Sequence, residues 1–458
     1  MRKRKLPAQR YRLFRRTESG YTRPVGDTAC TLNGYLTAAG FSTQHEPSAR
    51  LYVQYGRSWT VVAAPLAGDF GAIASFTSSA APAVAGRASA SSAAATTFMS
   101  GPDSRVPHVE PISFARGVPA PECLAVEELA DCARAAIESD GARVLNYGAA
   151  GGYAPLREWI ADRHRVEPER VVLTNGSLQG FRFLAELLAP DGQVVVEAPT
   201  YDRPLKILAG LGAEVICIPL DEEPTVASAA FLYTIPTFQN PTGRTLPLDR
   251  RKRLAAAAKD GLLVLEDDPY GLVRFEGDPL PTVFELAKGR NVAYSSSFSK
   301  TIAPGLRVGY FVLPGELAVQ VEAAATASYI TPALLSQATV YEFLRRGAFE
   351  PNLERVQGLL RARRDAMVEA LQRHLPEATW TVPEGGYFLW VELPAGVSTA
   401  DLRADGVTFV SGSDFFCRAG GESAIRLAFS YESPAAIEEG IRRLASAVRA
   451  AMLLRRAA

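Results

Sequence analysis

From about Pro111 onward the chain alternates short apolar runs with longer segments in which apolar residues recur every three or four positions. The runs are RVVLT (170–174), QVVVEAP (193–199), EVICIPL (214–220), FLYTIP (231–236), LLVLEDD (262–268), NVAYSSS (291–297) and VGYFVLP (308–314). Each has the length and β-branched content of a buried strand. Between the first two, SLQGFRFLAELLAP sets Leu178, Phe181, Leu184, Leu187 and Leu188 on one helical face. Strand and helix in repetition predict an α/β fold, a mostly parallel sheet with helices on both sides, because parallel neighbours need crossover connections and doubly apolar strands need cover on both faces. In such a sheet ligands gather beyond the carboxyl ends of the strands.

The first hundred residues have a different texture. The opening MRKRKLPAQRYRLFRR has no acidic residue before Glu18 and reads as a solvated, disordered basic tail. Within 28–76, ARLYVQYG and WTVVAAPLA suggest a small α+β unit to which the sequence assigns no function. SSAAPAVAGRASASSAAATTFMSGPDS buries little and reads as a flexible linker. The expected organisation is an N-terminal extension (1–79), a linker (80–105), a leading segment and domain start (106–160), a large domain (161–330) and a C-terminal small domain (331–458).

Charge narrows the partners. Lys+Arg and Asp+Glu both total 49, a balance that disfavours nucleic acid and anionic membrane and favours small molecules. The five cysteines are scattered, odd in number and without a C-x-x-C pair, which suits a reducing cytosol rather than a disulfide framework. The four histidines are too far apart for ligand spacing, so no metal site is expected. No apolar run reaches the length of a membrane span and no secretory signal opens the chain, which points to the cytoplasm.

The unusual polar residues come just after the strands. TNGS follows the first and turns into a helix whose first amides, at Ser177 and Leu178, could cradle a phosphate. Tyr201 follows the second, Asn240 follows FLYTIP within TFQNPTG, Asp267 and Tyr270 follow LLVLE, and Lys300 follows NVAYSSS. Taken singly, the aspartate is an ordinary strand-end cap and Asn-Pro-Thr-Gly an ordinary turn. Together they put a phosphate cradle, a flat aromatic, an amide, a carboxylate, a phenol and a lysine on one sheet edge. That set matches the parts of a pyridoxal phosphate ring.

ISFARGVPAP, LNYGAAGGYAPLREWI, LTNGSLQG, EAPTYDRPL, YTIPTFQNPTG, LEDDPYGLVRF, SSFSKTIAPGLRVGY, EGGYFLWVEL and IRLAFSY occur in one order over roughly three quarters of the chain. In these motifs residues 111 to about 450 resemble fold-type I pyridoxal-phosphate aminotransferases of the 2-aminoadipate and kynurenine branch. The resemblance implies that the protein moves an amino group from an α-amino acid to a 2-oxo acid through a Schiff base on Lys300. It further implies that Asp267 pairs with the pyridine nitrogen, that Asn240 and Tyr270 bond the ring's phenolic oxygen, and that Tyr201 stacks on the ring. Ser177, the Leu178 amide, Ser297, Ser299 and Arg307 would hold the phosphate, with Tyr147 reaching a phosphate across a homodimer interface. Arg426 would clamp the substrate α-carboxylate beside Asn240, and Gly117 lies where the N-terminal segment closes over substrate.

The chain also departs from that pattern. Leu178 stands where the family has glutamine, and only DEEPTVASAA separates EVICIPL from FLYTIP, about half the usual length. A surface helix of the large domain is therefore expected to be missing, loosening the cofactor domain. Two other functions remain compatible with the motifs. One is a different reaction on the same cofactor (elimination, cyclisation or oxidation). The other is an aminotransferase-like transcription regulator, which would need a DNA-binding recognition helix in the N-terminal region.

Overall fold

The structure, a computed structural model, describes residues 11–17, 20–28, 50–55 and 58–63, and residues 110–457 apart from 221 and 223–228. The chain divides into two compact units, 1–103 and 104–458. In the first, β1 (Tyr11–Thr17), β2 (Gly20–Thr28), β3 (Arg50–Tyr55) and β4 (Ser58–Ala63) form an antiparallel sheet in the order β2-β1-β3-β4. This corrects the reading of the basic opening as a disordered tail, because β1 lies within it. The run of cations hides a short period-2 alternation of Tyr11 and Leu13 about Arg12. The first ten residues, the linker expected at 80–105 and residues 221 and 223–228 of the shortened segment lie outside the described residues.

The second unit opens with β5 (Ile112–Ser113), α1 (Val126–Val144) and α2 (Ala154–His164). It then alternates β6 (Val171–Thr174), α3 (Ser177–Leu188), β7 (Gln193–Ala198), α4 (Asp202–Leu211), β8 (Val215–Pro219), β9 (Ala229–Thr234), α5 (Leu248–Lys259), β10 (Val264–Asp267), α6 (Val283–Ala287), β11 (Val292–Ser297) and β12 (Gly309–Val312). Each of the seven apolar runs forms a strand. They make one sheet in the order β6-β12-β11-β10-β9-β7-β8, in which β12 is antiparallel to both neighbours and the other pairs are parallel.

Period 2 explains the layers. Val171, Leu173, Val195 and Leu232 enter the core on one face, whereas Val172, Val194, Val196 and Phe231 enter the core on the other. Each fully buried side chain of this kind contributes roughly 1.5–3 kcal/mol. Helix ends follow local chemistry: α4 stops at Gly212 in the left-handed region (φ 69°), and α6 starts on a Thr282/Glu285 capping box. The buried Glu266 carboxylate accepts two more α6 amides, from Val283 (2.9 Å) and Phe284 (2.7 Å).

The remainder is α7 (Gly315–Tyr329), α8 (Leu334–Arg345), the long α9 (Phe349–His374), β13 (Thr379–Trp380), β14 (Phe388–Glu392), β15 (Val407–Thr408), β16 (Val410–Ser411), β17 (Ala424–Ala428) and α10 (Pro434–Ala457). A second sheet runs β13-β14-β17-β16, while β15 pairs with β5 and ties the leading segment to the C-terminal part. Cys217 of β8 and Cys417, 200 residues apart in sequence, lie side by side with Cα atoms 6.6 Å apart. Such a pair has no local spacing by which sequence could announce it. Among the described residues no helix is long and apolar enough to cross a membrane, and no cluster of metal-ligating side chains occurs.

His164, the last residue of α2, carries a testable pH dependence. Its ring packs against Tyr294, Tyr310 and Phe284 at 4.8, 5.8 and 5.9 Å, and burial lowers its pKa to about 4. The unfolded chain takes this proton near the ordinary value of about 6.5, so the group's stabilisation is complete above that pH and is lost as pH falls toward 4. The loss amounts to about 3 kcal/mol. Glu197 and Glu266, raised to about 7 by burial, act in the opposite sense. The diagnostic is therefore the difference between His164→Phe and wild type in denaturant unfolding at pH 7 and pH 4.5. The variant is expected to lose less stability on acidification; an equal loss rules the histidine out.

Candidate active site

Because β7, β9, β10 and β11 are parallel, their carboxyl ends open on one edge, and there lies a cavity of about 420 Å³. The large sheet and its loops contribute Ser177, Leu178, Tyr201, Asn240, Asp267, Tyr270, Ser297, Ser299, Lys300 and Arg307 to its wall. Gly117 enters from the leading segment, and Phe388 of β14 and Arg426 of β17 enter from the second sheet. Tyr147 is not in this wall; it is 74% exposed.

One end of the cavity is shaped for an anion. Gly176 (φ 89°) turns β6 into α3, so the first amides of this twelve-residue helix face the cavity with the positive end of its dipole. A side chain on Gly176 would collide with the Arg307 guanidinium, and one on Gly309 with the Ser177 amide. Opposite the helix, the Ser297 and Ser299 hydroxyls lie 2.8 Å apart, and the Ser299 amide donates to Ser297 Oγ (3.1 Å).

Lys300 and Asp267 occupy the middle. Lys300 Nζ donates to Gly117 O (2.6 Å) and lies 5.2 Å from the Tyr387 ring, whose hydroxyl donates to the Lys300 carbonyl (3.0 Å). Burial first, then Arg426 and Arg307, lower the amine to about 8. Asp267 accepts from Tyr233 Oη (2.9 Å) and Ser295 Oγ (3.0 Å). Burial pushes this carboxyl up to about 6 against those two bonds. Burial likewise raises the Tyr201 phenol to about 12 and the Tyr270 phenol further.

Arg426 closes the far side. Its Nη1 donates to Asn240 Oδ1 (3.0 Å) and its Nη2 to Ala115 O (2.8 Å). The guanidinium carbon lies 4.2 Å from the Phe388 ring and 5.1 Å from the Phe415 ring. Nε is buried and has no hydrogen-bond partner. A buried unpaired charged donor is costly unless an anion completes it.

Comparison with known proteins places this cavity in a lineage. The profile of the family described as aminotransferase class I and II matches residues 122–444. The chain belongs to the class I and II aminotransferases. This aminotransferase is 39% identical over 364 residues to the 2-aminoadipate transaminase of Thermus thermophilus, covering 75% of this chain and 91% of that one. It is 33% identical over 369 residues to aromatic-amino-acid aminotransferase 1 of Thermococcus litoralis, covering 74% and 88%. Its fold matches the crystal structure of LysN, an α-aminoadipate aminotransferase from Thermus thermophilus complexed with N-(5'-phosphopyridoxyl)-L-leucine, with a TM-score of 0.71 at 38% identity over 75% of this chain and 93% of that one.

Sequence reasoning missed several residues that shape the aminotransferase cavity. Tyr233 lies inside an apolar strand and reads as core, and Ser295 is one of three consecutive serines with nothing to single it out. Phe388 and Phe415 read as ordinary apolar residues, because their role beside Arg426 depends on chain segments far apart in sequence. Tyr387, which reads as core, is indeed buried but also touches Lys300.

Proposed function

We propose that this aminotransferase works in the cytoplasm as a homodimer, with Lys300 as its Schiff-base lysine, and exchanges amino groups between α-amino acids and 2-oxo acids. The observation that carries the residue assignment is the convergence on one cavity of a lysine of lowered pKa, a doubly hydrogen-bonded carboxylate and an arginine with an unpaired buried Nε. These residues fit pyridoxal phosphate: a side chain on Gly176 would collide with the Arg307 guanidinium, which keeps the backbone bare at the start of α3, and Ser177, Ser297, Ser299 and Arg307 line the same cavity.

Pyridoxal phosphate, when bound, supplies an aldehyde that condenses with amines and a ring that takes up the electrons released at the substrate α-carbon. Asp267, which Tyr233 and Ser295 keep oriented, would hold a proton on the pyridine nitrogen. Tyr201 would cover the ring face, and Asn240 and Tyr270 would hold the phenolic oxygen. The Ser177 and Leu178 amides, Ser297, Ser299 and Arg307 would bind the phosphate, and Tyr147 would add a contact from a second copy of the chain. Lys300 would carry the proton that leaves the substrate α-carbon, a task suited to an amine lowered to about 8. Arg426 and Asn240 orient the α-carboxylate, and the Gly117 segment and Phe388 narrow access for water.

The named relatives favour aminoadipate-like and aromatic amino acids as first substrates to test, with branched ones as a further class. The regulator alternative needs a recognition helix ahead of residue 105, whereas the described residues there are strands of an antiparallel sheet. The test is the visible absorbance of the purified chain with pyridoxal phosphate. Amino acids are expected to bleach the lysine-dependent band and 2-oxo acids to restore it. Bleaching accompanied by ammonia release, with no restoration, would replace transfer with elimination or oxidation.

A further inference from the structure

Two acidic residues follow each other at the end of β10, and each has its own tyrosine. Asp267 accepts from Tyr233 of β9, whereas Asp268 accepts from Tyr294 of β11 (3.0 Å) and from the Gly271 amide (2.8 Å). Tyr233 belongs to the core on the α3 side of the sheet and Tyr294 to the core on the other, so the two carboxylates are drawn to opposite faces. We propose that Tyr233 is a positioning residue of this aminotransferase: its buried hydroxyl, jointly with Ser295, fixes the orientation of the Asp267 carboxylate toward the cavity.

Strand register accounts for the geometry. Ser295 lies directly beside Asp267 in the β10–β11 pairing, and its short hydroxyl reaches Oδ1. Tyr233 is paired with Leu265, two residues earlier on β10, so a side chain as long as tyrosine is needed to reach Oδ2. The ring is 1% exposed and meets Phe181 of α3 edge-on at 5.3 Å, which leaves the phenol little freedom to swing away. With one donor on each oxygen, the carboxylate plane is fixed. Phenylalanine would keep the packing and lose only the hydroxyl.

The inference rests on the assignment of Asp267 to the ring nitrogen of pyridoxal phosphate, and its test separates the two. The other groups around Asp267 are Asp268 on its own strand, Tyr201 ahead of α4, Tyr270 after β10, and the cations Lys300, Arg307 and Arg426 in the shared cavity. Hydrogen bonds to a carboxylate favour its charged form, so removing one raises the titration midpoint. In cofactor-free protein with 13C-labelled aspartate, Tyr233→Phe is expected to raise the Asp267 carboxyl midpoint by about one pH unit. Ser295→Ala should shift it in the same direction, and Tyr294→Phe, which acts on Asp268, should not raise it.

In the loaded protein, the Kd of Tyr233→Phe for pyridoxal phosphate should weaken about fivefold at pH 6 and much less at pH 8.5, where the carboxyl ionises regardless. A general packing defect would weaken it equally at both. An unmoved midpoint in folded Tyr233→Phe and Ser295→Ala overturns the proposal. A raised midpoint in the variants with a wild-type pyridoxal phosphate affinity that does not follow the ionisation of Asp267 leaves the positioning role standing and rejects the assignment of Asp267 to the ring nitrogen.

Discussion

Lys300→Ala is expected to lower amino-group transfer by at least about 10⁴-fold, because it deletes both the nucleophile and the proton carrier. The fold should not suffer. Lys300 Nζ has one hydrogen bond, to Gly117 O, and no carboxylate forms an ion pair with it among the described residues, so alanine removes a partly desolvated cation rather than a structural link. Tyr387, the neighbour that bonds Lys300, uses the backbone carbonyl and would keep that bond. Lys300→Arg should be equally inactive, since a guanidinium stays charged at any working pH and cannot attack an aldehyde.

The direction of the pH dependence is fixed by the same burial. With the amine lowered to about 8, roughly a tenth of it is neutral at pH 7, and capture of pyridoxal phosphate by the empty protein should accelerate with pH until about 8 and then level off. Stopped-flow absorbance gives that profile, and single-turnover assays with matched circular dichroism give the loss in the alanine variant. Residual transfer above about one per cent of wild type would remove Lys300 from the mechanism.

The strands and the edge at which the site forms were legible in the sequence because both depend on local pattern. Seven apolar runs of strand length can only be buried as a sheet covered on both faces, and a parallel sheet brings the residues just past its strand ends together at one edge. Hence local pattern alone groups Asp267, Asn240, Lys300 and Tyr201, and twelve of the thirteen expected residues line one cavity. The exception, Tyr147, lies outside the cavity of a single chain, and its expected contact depends on a second copy.

Contact between distant segments was not carried by local pattern. Tyr233 is indistinguishable from Phe231 as a strand residue until β9 and β10 are placed in register. The juxtaposition of Cys217 with Cys417 and the pairing of β5 with β15 bring together segments about 200 and 300 residues apart, which no spacing rule covers. In the N-terminal unit the failure has another cause. A dense run of cations outweighs a weak alternation and hides β1.

Arg426→Lys is expected to reduce kcat/KM for amino acids by about 10³-fold while leaving the lysine-dependent absorbance band intact. The guanidinium lies 4.2 and 5.1 Å from the Phe388 and Phe415 rings and bonds Asn240 and Ala115 through its two terminal nitrogens, which holds the fork rigid in the cavity wall. A carboxylate bound by two charge-assisted bonds gains about 3–5 kcal/mol, and a lysine ammonium reproduces the charge but not the fork. Most of the loss should therefore appear in KM, with a smaller part in kcat from imperfect alignment of the α-carbon. A primary amine lacking the carboxylate provides the control, because it has nothing for Arg426 to hold. The ratio of amino-acid to amine turnover should collapse in the variant, through loss of the first rather than gain of the second. If both substrates lose activity equally, Arg426 is a structural link between β17, Asn240 and Ala115 and the carboxylate is bound elsewhere.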